Sequence, residues 1–177
     1  QGNYLSGRKL RNEPHMFIGA VENPTAPPLE YRVDRALKKV DAGAKFIQLQ
    51  ICYQPEMLEN FMRGCVLNGV SERAALLPTV VFTKSARPLD FMDTSVPGIS
   101  VPQAVIDRVC NSEDQAEESY QLVKEQVIHA LGLPGVAGIH FTDFRHDGSL
   151  QRVLQELGLG PKEHNRQPQE DASAYSS

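Results

Sequence analysis

Residues Lys39-Val40-Asp41-Ala42-Gly43-Ala44-Lys45-Phe46-Ile47-Gln48-Leu49-Gln50 change their period midway. Upstream, Leu29, Val33, Ala36, Leu37 and Val40 recur at spacings of three and four, which gives a helix a single apolar stripe. Gly43 stands where such a helix stops. From Phe46 to Ile51 the chain is nearly continuously apolar, the pattern of a strand covered on both faces. Within that run Phe46, Gln48 and Gln50 share one side, while Ile47, Leu49 and Ile51 share the other. A strand with aliphatic residues toward its helices and glutamines on the opposite face decides the fold.

Three more apolar runs resemble this one: Met16 to Val21, Leu76 to Phe82, and Val136 to Phe141. Stretches of helical period separate them. Gln54-Pro55-Glu56 opens a helix with proline in its first turn, with Met57, Phe61 and Cys65 inward and Gly69 as terminator. A short helix is predicted over Pro88 to Asp93 and another from Pro102, with Val105, Ile106 and Val109 inward. A longer one runs from about Ser112 to Leu131. Leu150, Val153, Leu154 and Leu157 form a last one before Gly158. Strand alternating with helix four times predicts an α/β fold with parallel strands. An open doubly wound sheet and an eight-stranded barrel both use this unit. No glycine-rich phosphate loop follows the first strand, which weakens the dinucleotide-binding version. The glutamines of the second strand, with His140 and Thr142 opposite Ile139 and Phe141 in the fourth, favour the parallel (β/α)8 TIM barrel. Its active sites lie at the C-terminal mouth. About four βα units are present, in one domain over residues 1–160. Half a barrel leaves two unpaired edges, so the chain is expected to be incomplete, to pair with another half, or to associate with itself.

Composition narrows the function classes. With 41% hydrophobic and 23% charged residues the chain reads as a soluble globular protein. A net charge of −4, without a basic stripe, argues against nucleic acid. No apolar run approaches the ~20 residues of a membrane span, and no signal-peptide pattern is present. Cys52, Cys65 and Cys110 match no metal or redox spacing, which fits a reducing cytoplasm. The chain opens at Gln1 without methionine, which suggests a fragment or a trimmed protein. Residues 161–177 are polar and predicted to form a disordered tail. Among chemistry-bearing residues, Gln50 is a strand-end glutamine facing a cavity. His140 reads as a hydrogen-bonded interior histidine. Asp143, Arg145, His146 and Asp147 read as a solvated loop without metal-ligand spacing.

The segment Lys39 to Gln50 resembles the stretch before and along the sixth strand of methylenetetrahydrofolate reductases. There a Lys-Val-x-Ala-Gly-Ala segment leads into a strand ending in Thr-Gln. Phe17-Ile18-Gly19-Ala20 with Asn23-Pro24 is similar to the fifth strand and its loop. Val96-Pro97-Gly98-Ile99 with Val101-Pro102 resembles the segment after the seventh. Gly135-Val136-Ala137-Gly138-Ile139-His140-Phe141 resembles the eighth, which carries His-Phe. The resemblance covers Asn12 to Leu159 and implies the C-terminal half of a flavin- and folate-binding barrel. Such an enzyme passes a hydride from NAD(P)H through FAD to 5,10-methylenetetrahydrofolate, giving 5-methyltetrahydrofolate for methionine synthesis. By resemblance, Gln50 is the folate-contacting glutamine, and an amide suits a pterin edge. Lys39 matches a flavin-contacting lysine, although a helix lysine is by itself most simply a surface charge. Thr142 and Phe144 stand where the family has Tyr-x-Leu near the flavin.

The departures from the family are specific. Its acidic flavin contact falls on Arg32, its Tyr-Pro-Glu on Glu22-Asn23-Pro24, and its Pro-Gly-Ile on Pro78-Thr79-Val80. Its aromatic substrate contact falls near Arg87. The general acid of the family lies on the first strand and an aspartate near the flavin on the fourth. Neither strand is in this chain, so no catalytic residue is assigned to it and the chain alone is expected to be inactive. Two alternatives stand beside the reductase. One is a flavin-free folate-binding or methyl-transferring barrel. The other is a non-catalytic half-barrel subunit that docks onto an N-terminal half.

Overall fold

The computed structural model describes residues 2–9, 11–12 and 16–160. The stretch read as a tail, 161–177, lies outside the described residues. Four strands, β1 (Gly19–Glu22), β2 (Phe46–Leu49), β3 (Ala75–Phe82) and β4 (His140–Asp143), form one parallel sheet in the order β1-β2-β3-β4. A doubly wound sheet reverses its strand order at a switch point. Here each strand pairs with the next in sequence, as around a barrel. The helices α1 (Arg32–Asp41, preceded by a 3-10 turn at Leu29–Tyr31), α2 (Pro55–Leu67), α3 (Ala86–Ser95), α4 (Gln103–Cys110), α5 (Gln115–Leu131) and α6 (Ser149–Glu156) fill the connections.

The predicted faces hold. Ile47, Leu49 and Leu76 are fully buried on the helix side and pack with Ala36, Phe61 and Cys65. Val80 and Phe82 pack with Tyr120, Val123, Val127 and Val153 from α5 and α6. On the opposite side the register aligns Val21, Gln48 and Leu77 in one row, Thr79 with His140, and Val81 with Thr142. Phe17 and Val21 remain exposed there, and Phe17 stacks on Phe46 at 5.7 Å between ring centroids. Local chemistry sets the helix starts. Pro55 occupies the first turn of α2, and the Asp114 carboxylate accepts from the N–H groups of Ala116 and Glu117 at 3.0 Å to cap α5.

Two strands begin three or four residues later than the sequence reading placed them. The first strand begins at Gly19 rather than Met16, since Met16 and Phe17 stay exposed and pairing starts where Lys45 N–H donates to Ile18 O. The last strand is His140–Asp143 rather than Val136 to Phe141. Val136 makes a single bridge with Leu76, and the ladder resumes at Thr79 with His140. Three residues, 137–139, therefore oppose two, 77–78, which is a bulge. Pro78 lies in the shorter segment and has no N–H to donate, so the ladder breaks there.

Charge pairs fasten α6 to α5. Arg152 donates to Glu117 at 2.6 Å and Glu156 at 2.8 Å, Lys124 donates to Glu156 at 2.7 Å, and the Arg152 guanidinium lies 3.8 Å from the Tyr120 ring centroid. Hydrogen bonds from Arg152 to Glu117, and from Lys124 and Arg152 to Glu156, hold both carboxyls down at about 2 from an ordinary value of 4.5. A carboxyl with a depressed folded-state value stabilises the fold above its unfolded value and loses that contribution as pH falls through the folded one. Melting temperature is thus expected to stay level from neutral pH down to about 4.5 and to fall between there and about 2. In Arg152→Met the part of that fall due to these two carboxyls should shrink, most of all for Glu117, while Lys124 still holds Glu156. An identical acid limb in calorimetric scans of the two proteins would contradict the assignment.

Candidate functional site

The C-terminal strand ends and the loops after them surround a cavity of about 700 Å³, lined among others by Gln50, Thr79, Met92, Ile99, Thr142 and Phe144. Its walls are chiefly apolar, with Lys84 and Arg145 at the charged end. A smaller polar hollow of about 350 Å³ adjoins it, lined by Val21, Glu22, Asn23, Lys39, Gln48 and Gln50. Gln50 belongs to both. Three of the four predicted site residues thus meet in the larger cavity, and the fourth, Lys39, faces Gln50 across the smaller one.

Gln50 is placed by the sheet. Its N–H continues the β1–β2 ladder by donating to Glu22 O at 2.8 Å. Its side-chain oxygen accepts from Ile51 N–H at 3.1 Å, which fixes the amide plane. Among the described residues its amino group makes no protein hydrogen bond, so a donor points into half-apolar space. Beside it, Thr79 Oγ1 and His140 Nδ1 lie 3.2 Å apart, and the interior histidine has the partner its position called for.

Lys39 is less free than its sequence suggested. Its ammonium contacts the Val21 carbonyl at 2.6 Å and pairs with the Glu22 carboxylate, which is only 3% exposed. Arg35 adds a second cation to Glu22 at 3.2 Å. The sequence reading missed Glu22 as a site residue. Its signal was available: an ionisable residue on the helix-facing side of a buried strand needs a cationic partner.

The loop after β4 also departs from expectation. The reading of Asp143, Arg145, His146 and Asp147 as a solvated loop is corrected for Arg145, whose side chain is 8% exposed. It donates to the carbonyls of Thr83 at 2.9 Å and Ala116 at 2.8 Å, and to Asp147 at 2.9 Å. Asp143 accepts from the N–H groups of Arg145 and His146, which turns the loop back after Phe144. Asp147 accepts from the Ser149 hydroxyl at 2.7 Å, and this bond with the Arg145 guanidinium holds its carboxyl well below the usual range. Phe144 is left 74% exposed at the cavity wall. Among the described residues no three His, Cys, Asp or Glu side chains gather as a metal site.

The positions that depart from the family pattern have structural roles. Arg32 is 8% exposed and donates to Leu29 O at 2.9 Å and to Pro24 O, and burial lowers its pKa. It braces the β1–α1 loop and lines neither cavity. Arg32→Ala would strip the buried Pro24 carbonyl of its guanidinium donor, a loss of about 1–3 kcal/mol, while Leu29 O keeps the Arg32 backbone N–H. Urea unfolding should show it, and an unchanged midpoint would refute the bracing role. Val80 faces the helix-side core, so of Pro78-Thr79-Val80 only Thr79 presents its side chain to the cavity row. Arg87 does not line the cavity. Phe91 of α3 does, and its spacing from Pro88 and Met92 on a helix with Leu89 buried was the available signal.

The segments that carry the family resemblance also meet in space. Asn23 Nδ2 donates to Gly98 O at 2.7 Å, and Gln54 Nε2 donates to Ser100 O at 3.2 Å, so the loops after β1, β2 and α3 form one rim. Comparison with known proteins agrees with this arrangement. The family model described as methylenetetrahydrofolate reductase matches residues 20–158. A Caenorhabditis elegans protein named probable methylenetetrahydrofolate reductase (NADPH) is 24% identical over 150 residues, covering 81% of this chain and 22% of that protein. Methylenetetrahydrofolate reductase 2 of Schizosaccharomyces pombe is 30% identical over 134 residues, covering 70% of this chain and 20% of that protein. The chain thus spans about a fifth of the length of these relatives. A solved structure from Clostridium thermocellum, described as an uncharacterized protein that binds two copies of 5-methyl-5,6,7,8-tetrahydrofolic acid, superposes with a TM-score of 0.59 at 20% identity. That match covers 79% of this chain and 51% of the other, and shows a shared fold. With the motifs in one rim and the family model reaching from within β1 to beyond α6, the chain belongs to the methylenetetrahydrofolate reductase family.

Proposed function

We propose that the mouth of this sheet binds a reduced folate, and that the chain is the C-terminal half of a flavin-dependent methylenetetrahydrofolate reductase barrel. The observation that carries the reading is Gln50, with its amide oxygen tied to Ile51 N–H and its amino group unpaired among the described residues, where the apolar cavity meets the polar hollow. A pterin has flat apolar faces and a hydrogen-bonding edge, and this junction offers a surface for each. The structural neighbour from Clostridium thermocellum, by its description, binds a methylated tetrahydrofolate.

The residues present also fit a flavin ring. Thr142 and Phe144 wall an apolar cavity of about 700 Å³, and Lys84 stands at its charged end. Lys39 would meet the diphosphate while sharing its charge with Glu22. When bound, the flavin supplies the relay of a hydride from NAD(P)H to 5,10-methylenetetrahydrofolate. The chain's own residues orient and enclose. Gln50 fixes the pterin edge, the α3 side chains Phe91 and Met92 keep water from the apolar wall, and Arg145 holds the β3 and β4 loops together. No general acid is assigned among these residues. That role falls to an N-terminal half-barrel covering Phe17 and Val21, and without it the chain would be inactive. Three free cysteines accord with a cytoplasmic protein.

A flavin-free folate-binding barrel is the second reading, favoured by the neutralisation of Lys39 by Glu22. Absorbance of the complete barrel separates the two. Bands near ~450 nm that bleach with NADH or NADPH support the reductase. A colourless, folded protein that takes up no added flavin leaves the folate-binding barrel.

A further inference from the structure

A second cavity, of about 310 Å³, lies on the helix side of the sheet, lined by residues of β3, α2, α4 and α5 and of the loop between β2 and α2. Its walls include Tyr53, Leu58, Val105, Leu122, Gln126 and Ala130. Two of these carry orphaned polar atoms. Tyr53 is 5% exposed, and its hydroxyl has no hydrogen-bond partner among the described residues. The Gln126 side-chain oxygen is likewise buried and unpaired. A buried polar group that nothing answers destabilises the fold, so two beside one void mark a place where partners belong.

The chemistry of the walls selects the occupant. The ionisable residues at the rim already have partners: Arg108 pairs with Glu125 and Glu118, and His129 hydrogen-bonds Glu59. Burial pushes the Tyr53 phenol up, so it stays a neutral donor. An ionic ligand would find no counter-charge. A cavity near ~150 Å³ holds one benzene ring, so roughly twice that holds two fused rings. From the lining residues and the two orphaned atoms, we infer that this cavity is a binding site for a neutral, planar, two-ring lactam or amide. Its N–H is accepted by the Gln126 oxygen, and its carbonyl accepts from the Tyr53 hydroxyl.

The site is distinct from the mouth, although Gln50 and Thr79 line both cavities and place the two back to back. Reporters must therefore be residues of one cavity only. A nitrogen-15 NMR titration of the full chain with quinazolin-4-one is expected to move the Gln126 side-chain amide and the Leu122 and Ala130 backbone amides saturably. Thr142, Phe144 and Met92 should stay in place. 3-Methylquinazolin-4-one, which lacks the N–H, should bind about tenfold more weakly, as should quinazolin-4-one to Tyr53→Phe or Gln126→Leu. The dispersion of each variant's spectrum reports that it remains folded. No movement of the helix-side reporters up to the solubility limit overturns the inference. So does movement confined to the mouth reporters, equal affinity for the methylated analogue, or unaltered affinity in both variants.

Discussion

Gln50→Leu in the complete barrel is expected to weaken 5-methyltetrahydrofolate binding by about tenfold to a hundredfold. That range combines one or two lost hydrogen bonds with a ligand polar edge left unpaired in a partly apolar site, together about 1.5–3 kcal/mol. Gln50→Glu is the informative companion. It keeps an oxygen for Ile51 N–H, which the wild-type amide accepts at 3.1 Å, but removes the amino group that faces the junction of the two hollows. If the donor is what the ligand needs, both variants lose affinity while both melt close to wild type. Calorimetric titration would decide. Affinity kept within twofold in both variants would remove Gln50 from the site and, with it, the observation on which the folate reading rests.

The second large effect concerns the scaffold. Phe61 on α2 is 0% exposed and packs among Ile47, Leu49, Cys65 and Leu76. Phe61→Ala removes most of a buried ring and leaves a cavity in a densely packed interior, which costs about 3–5 kcal/mol. For a domain of this size each kcal/mol moves the melting temperature by about 2–4 °C, so a fall of about 10 °C is expected. Phe91→Ala is the contrast, because Phe91 is 58% exposed and lines the mouth. It should leave the melting temperature within a few degrees. A drop of less than about 3 °C in Phe61→Ala would mean that α2 packs on the sheet less closely than its contacts imply.

Much of the fold is legible in local pattern. The helix ending at Gly43, the strand beginning at Phe46 and the alternation of Gln48 and Gln50 with Ile47 and Leu49 depend on period and on neighbouring residues alone. That alternation puts Gln50 on the inner face, and the register agrees. The last strand starts four residues beyond the start of its apolar run, at His140 rather than Val136, because apolar content does not reveal a bulge. Pro78 causes it from the opposite strand, and no reading of residues 136–141 by themselves contains that information.

The sequence by itself determined the order of the elements, the two faces of each strand and the family. Tertiary structure alone decided which charges are spent and where space remains. Lys39 is tied to Glu22, 17 residues away, and Arg145 to carbonyls 62 and 29 residues away. The orphaned Tyr53 and Gln126 share a void only because α5 crosses the helix side of β3. Secondary structure follows from neighbours along the chain, whereas pairing and cavities follow from which strand and helix come to lie side by side.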